Sequence, residues 1–194
     1  MSYKFVGQPL ASGLYEPEGV YLSAPFTGQG RILQTWGANP TYYAQFKYNG
    51  VPLQGHIGVD FGLPPETTLL AVDQGRVMEI SYEADGFERY IKIEHHWGES
   101  FYARVGEIEV ESGQLVVRGD TIGAVDDAGR QGSIPYFHFA IRVFPYNRFD
   151  GWGGFSNPLP FMDPSSLFSE NEFDNPVIFE PQAMASEGPG MRRP

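Results

Sequence analysis

The chain has no cysteine. Disulfides and thiolate-held metal sites are therefore excluded, and the redox compartment leaves no trace. Lysine stands only at Lys4, Lys47 and Lys92, and Lys and Arg together number 13 against 24 Asp and Glu. The formal net charge of −11 argues against a nucleic-acid partner gripped through phosphates. It also argues against adhesion to anionic membranes or cell-wall polymers by charge alone. No run of about 18 apolar residues exists, so no membrane span is expected. The first twenty residues, MSYKFVGQPLASGLYEPEGV, have no apolar core after their lysine and do not read as a secretory signal. Helical periodicity is missing as well. No ten-residue segment repeats convincingly at 3.6.

What is present points to strands and turns. The 194 residues fit one domain. A hydrophobic share of 41% and an aromatic share of 15% are enough for a real core. The counts of Gly, 24, and Pro, 16, favour many turns over long helices. From Thr67 onward, TTLLAV, RVMEISY, RYIKIE, SFYARV, QLVV, TIGAV and YFHFAIRV are short β-branched and aromatic runs separated by Gly, Asp and Ser. Ile91 and Ile93 alternate with Tyr90, Lys92 and Glu94, the pattern of a half-buried strand. The expectation is an all-β fold, a compact antiparallel β-sheet core of two packed layers with long loops. Residues 1–23 read as an N-terminal extension and 24–162 as the β domain. Residues 163–194 read as a Pro-rich, acidic C-terminal arm anchored by Phe168, Phe173, Val177, Ile178 and Phe179. Such an arm is expected to lie on its own domain or on a second copy, making a homo-oligomer.

The histidines are His56, His95, His96 and His138. His56 and Asp60, in GHIGVD, are four apart. Gly55, Gly58 and the β-branched Ile57 and Val59 make a helix there unfavourable. In a straight strand the two would lie about 13 Å apart, so the glycines must bend the chain if one ion is to be shared. Taken alone, an ordinary turn is the simpler reading. On 136–143, Phe137, Phe139, Ile141 and Val143 face one way, and Tyr136, His138, Ala140 and Arg142 the other. His138 is therefore off the apolar face. Two histidines and one carboxylate form a common zinc set with an open fourth position. His95 and His96, in IEHHWGES, read as surface or supporting residues. The aromatic loops NPTYYAQFKYNG and FDGWGGF suit either a peptide or glycan groove or a packing surface. Trp97, Tyr102 and Trp152 are candidate binding residues.

The order GHIGVDFGLPPETTLLAVDQGRV, YIKIEHHWGESFYARV, VESGQLVVRGDTIGAVDDAGRQGSIPYFHFAI and NPLPF resembles the lysostaphin-like (LytM-type) zinc endopeptidases across residues 24 to 162. The resemblance implies a compact antiparallel β core with a groove, one zinc, and cleavage of short peptide bridges in peptidoglycan. The implied zinc ligands are His56, Asp60 and His138. Two further histidines of the family, which assist water activation and stabilise the transition state, are replaced. Arg104 stands where the Y-x-H strand ends, and Tyr136 stands at the first histidine of H-x-H.

The replacements bear on chemistry. Arginine stays protonated and only donates. Tyrosine, with a reference pKa of about 10, is a poor base at neutral pH. Arg104 could also oppose a cation, or pair with Asp60 in its place. The expected function is a catalytically impaired peptidase-like domain, with or without zinc. It would bind cell-wall peptide, or serve as a structural or assembly subunit in an extracellular, cell-envelope or virion-associated setting. The alternative is an active zinc endopeptidase, with Arg104 and Tyr136 donating to an oxyanion and Glu99 or Asp126 as base. The segment SGQLVVRGDTIG also suggests a hammerhead-type carrier domain. That reading fails for want of a lysine in the hairpin.

Overall fold

A computed structural model describes residues 20–84, 86–126, 135–162 and 167. The proposed anchors Phe168, Phe173, Val177, Ile178 and Phe179 and nearly all of the extension and arm lie outside the described residues.

The regular structure among the described residues is nearly all strand, as expected. Strands β1 (Arg31–Gln34), β4 (Val59–Gly62), β12 (Tyr136–Val143), β8 (Gly98–Ala103), β7 (Glu88–His95), β6 (Gly75–Glu83) and β10 (Leu115–Val116) form a seven-stranded sheet in that spatial order. Strands β5 (Thr68–Leu70), β11 (Thr121–Val125) and β9 (Val105–Ile108) form a second sheet, and β2 (Lys47–Tyr48) pairs with β3 (Val51–Pro52). All strand pairs are antiparallel. The α-helix α1 is one turn, Pro40–Tyr43. Among the described residues no helix is long and apolar enough to cross a membrane.

Period-two patterning splits the large sheet into two buried faces. Phe137, Phe139, Ile141 and Val143 of β12 join Val59, Phe61, Ile91, Ile93 and Tyr102 in a core completed by Leu69, Val105, Ile122 and Val125 of the small sheet. The other face is not left to solvent. Ala140, Phe101, Ala103 and Tyr90 pack under Tyr43, Phe46, Leu53, Ile57, Phe87 and Phe155. The aromatic loops thus form a third cover over the sheet, and much of their aromatic content is packing. The core also overruns the expected boundaries. Val20 and Leu22 are buried in it, as is Leu167 beyond 162. Leu22 bridges Met162, and the Leu167 carbonyl accepts the Gly30 amide at 2.8 Å. The folded body therefore begins before Ala24 and ends after Met162.

Arg142 lies on the loop-covered face and is only 2% exposed. Its guanidinium donates to Glu99 Oε2 at 3.1 Å, to the Gly153 carbonyl at 3.0 Å and to the Tyr48 hydroxyl, and it sits 4.1 Å over the Phe155 ring. One buried cation so fastens both loop segments to β12. Arg142→Ala should lower unfolding stability by about 3–5 kcal/mol, because it strands the Glu99 carboxylate and leaves a void. Chemical denaturation checks this, and an unchanged midpoint would contradict it.

Candidate metal centre

Sheet register brings the first two ligands together. Asp60 on β4 is the direct cross-strand partner of His138 on β12, so the two side chains share the loop-covered face. His138 in turn faces Ala103 on β8, whose methyl group takes little of the space around the imidazole. His56 arrives from a bend rather than a strand. Its amide donates to the Ala38 carbonyl and its own carbonyl accepts the Gly37 amide. A Cβ at residue 55 would stand 2.6 Å from the Gly37 carbonyl oxygen, and one at 58 only 2.6 Å from His138 Cε1 and from the Phe139 oxygen. The two glycines are what the bend and the close imidazole require. Gly58→Ala should therefore push His138 out of place, lowering both the melting temperature and metal uptake. Normal metal uptake by that variant would refute the argument.

The three ligand atoms converge. His56 Nε2 lies 3.2 Å from His138 Nδ1 and 3.3 Å from Asp60 Oδ1, and His138 Nδ1 lies 2.7 Å from Asp60 Oδ1. All three residues are buried. Ligands bound at about 2.0–2.1 Å around a tetrahedral ion sit about 3.4 Å apart, which the two spacings from His56 Nε2 match, while Asp60 and His138 would part slightly around an ion. His56 Nδ1 is 3.1 Å from the Thr35 carbonyl. If it donates there, Nε2 keeps its lone pair for a metal. His138 Nε2 is buried without a partner, while Nδ1 faces the cluster. The 2.7 Å between His138 Nδ1 and Asp60 Oδ1 is the length of a hydrogen bond, and a metal ion would take the place of its proton.

The protonation states favour ligation. Burial pushes the Asp60 carboxyl up, but the charge of His56 and hydrogen bonds from His138 and His56 outweigh it and hold the carboxyl well below the usual range. Burial lowers His138, with Asp60 opposing the shift and the Arg104 charge adding to it. Both shifts run toward the forms a metal needs, an ionised carboxylate and an uncharged imidazole.

Tyr43, Phe87, Ala103, Arg104 and Tyr136 join the three ligands in lining a cavity of about 20 Å³, room for about one water. Arg104 reaches it through an unusual backbone. Strict alternation would send Arg104 to the same side as Tyr102, into the core. Its φ of +63° breaks β8 from β9 and swings the side chain into the cavity. The guanidinium lies 4.0 Å over the Tyr136 ring, donates to the Tyr136 hydroxyl, and pairs with Glu88 Oε1 at 3.4 Å. Glu88 also has a positive φ, +55°. Two left-handed non-glycine residues meeting in one ion pair beside a cavity mark a strained, built site. Arg104 does not take the metal's place on Asp60, whose oxygen is bracketed by the two imidazoles.

Other expectations are corrected. Tyr102 is fully buried, and its hydroxyl accepts the Val72 amide at 2.9 Å. Trp97 is 3% exposed, stacked on His95 and donating to Asp73. Both are core residues rather than groove residues: Tyr102 falls on the apolar side of β8, and Trp97, in the turn before it, packs into the same cluster. Trp152 is half-buried and stacks on Trp36 at 4.6 Å. His95 is held between Gln74 and Ser100, and His96 is exposed. Glu99 is tied to Arg142, about 13 Å along the strand from the level of His138, too far for a base. The Asp126 amide donates to the Arg104 carbonyl, and its side chain is not among those lining the cavity. Sequence reasoning missed Glu88 and Tyr43. Burial and the nearby Asp60 raise the Tyr43 phenol well above its ordinary value, so it stays a donor; its oxygen accepts from Gln34 at 3.1 Å.

Comparison with known proteins agrees with this geometry. Residues 54–150 match the description of peptidase family M23. A Haemophilus influenzae protein described as an uncharacterized metalloprotease is 27% identical over 92 residues, 47% of this chain and 19% of that protein. Among solved structures, Helicobacter pylori Csd3 superposes with a TM-score of 0.58 at 19% identity, covering 86% of this chain and 42% of that one. The antimicrobial peptidase lysostaphin from Staphylococcus simulans gives 0.55 at 20% identity, covering 81% and 60%. The chain spans less than two thirds of each of these proteins, and the structural likenesses speak to fold alone. The family match takes in His56, Asp60, Arg104, Tyr136 and His138 together within half of the chain, and on that match the chain belongs to peptidase family M23.

Proposed function

We propose that this M23 domain holds a zinc ion through His56, Asp60 and His138 but has lost peptidase turnover, and works as a cell-wall peptide-binding or assembly module. A zinc ion in such a site would supply Lewis acidity and water activation. What the chain itself supplies around the ion is the issue. The observation carrying the reading is the Arg104–Tyr136 pair, donor groups bonded to each other in the cavity where the resemblance places two proton-carrying histidines. Neither side chain can accept and return a proton near neutral pH as an imidazole does. Loss of one general acid–base group typically costs about 10²–10⁴ in rate.

The test is direct. Zinc-loaded protein incubated with pentaglycine should release no fragments above the rate of heat-inactivated protein. Cleavage that a chelator stops would instead support an active zinc endopeptidase, the reading favoured by the intact ligand set.

We further propose that assembly runs through the C-terminal arm, in an extracellular, cell-envelope or virion-associated setting. The burial of Leu167 fixes where a fair truncation begins. Deleting residues 168–194 should lower the mass seen by light scattering while thermal stability holds. An unchanged mass with an intact core would remove the arm from the argument.

A further inference from the structure

Resting on the metal-centre reading above, we infer that the cavity is a carboxylate site, in which Arg104 and the metal centre together capture the C-terminal carboxylate of a peptide rather than an internal peptide bond. Three observations lead there. A permanent cation lines the same cavity as the ligand triad. Arg104 and Tyr136, stacked and hydrogen-bonded, fill the space beside the triad, and the cavity that remains, about 20 Å³, admits one oxygen of a terminal carboxylate in place of a water and not a through-running strand. The third observation is Glu88. The protein already offers Arg104 a carboxylate of its own, at 3.4 Å, longer than the roughly 2.7–2.9 Å of a well-formed charge-assisted bond. Glu88 and Arg104 each hold a left-handed backbone to meet. Glu88 thus behaves as an internal stand-in that an incoming carboxylate displaces. A guanidinium has five donors in a planar fork, matched to the two oxygens of a carboxylate.

Calorimetry on the full chain, loaded with zinc and freed of acetate and phosphate, tests this with N-acetylglycylglycine, its C-terminal amide, and acetate. The acid should bind and the amide should not, and acetate should bind more weakly than the peptide acid. Arg104→Gln should weaken the acid by about tenfold or more, the loss of a charge-assisted contact. Glu88→Gln, which removes the competitor, should tighten it several-fold. A purely structural Glu88–Arg104 pair would not give that opposite response. Equal binding of acid and amide, or indifference to both substitutions, overturns the inference and leaves the zinc reading intact. Acetate binding as tightly as the peptide acid overturns the peptide assignment. If elemental analysis finds no zinc, the metal-centre reading fails by itself. The same titration then runs on the metal-free chain, where Arg104-dependent binding sustains the carboxylate site and its absence ends it.

Discussion

His138→Ala should take the zinc content of the loaded protein from near one ion per chain to near none, by elemental mass spectrometry. The substitution removes one of the three atoms that lie within 3.3 Å of one another, and what remains is one imidazole and one carboxylate. Loss of a mere supporting hydrogen bond to a ligand typically costs about 10–100-fold in affinity. Loss of the ligand itself should exceed that. The comparison variant is His95→Ala. His95 is equally buried but is held by Gln74 and Ser100, away from the cavity, so its removal should cost stability and leave the zinc in place. If His138→Ala retains zinc, or if the parent takes none with excess metal, the converging geometry has another cause. Function should then be sought on the loops.

The second large effect is a gain. Arg104→His combined with Tyr136→His should give a zinc-loaded protein that cleaves pentaglycine where the parent does not. Each restored acid–base group can contribute about 10²–10⁴ in rate, and two groups at one centre need not add. The backbone is compatible, since histidine tolerates a positive φ better than bulky or β-branched residues do, and residue 104 needs +63°. Both replacements also shrink the side chains that fill the cavity. The single variants should recover less than the pair. A double variant that binds one zinc and still does not cleave would mean that substrate access, not proton transfer, is what this chain lacks.

The sequence by itself determined the strands and which way they face. Period-two alternation in YFHFAIRV placed Phe137, Phe139, Ile141 and Val143 on one side and His138 on the other, and the core obeys it. Gly55 and Gly58 left a bend open in the sequence, and the structure shows that only a residue without Cβ fits at either place. The ordered motifs carried the family. What alternation could not show is whether the second face is wet. That depends on loops folding back across it from distant parts of the chain, and it is why Arg142 is a buried keystone and not a surface residue. The resemblance put Arg104 at the site, but strand alternation alone would have turned it into the core. Its direction follows from one left-handed residue at a strand break, a choice made by the packing of two sheets rather than by local propensity. Glu88 met Arg104 for the same reason. Its partner lies sixteen residues on along the chain, and only the folded sheet sets them side by side. The ligands, Arg104 and Tyr136 were legible through the resemblance of the ordered motifs and not through spacing, while the contacts that join Arg104 to Tyr136 and Glu88 were assembled by tertiary structure alone.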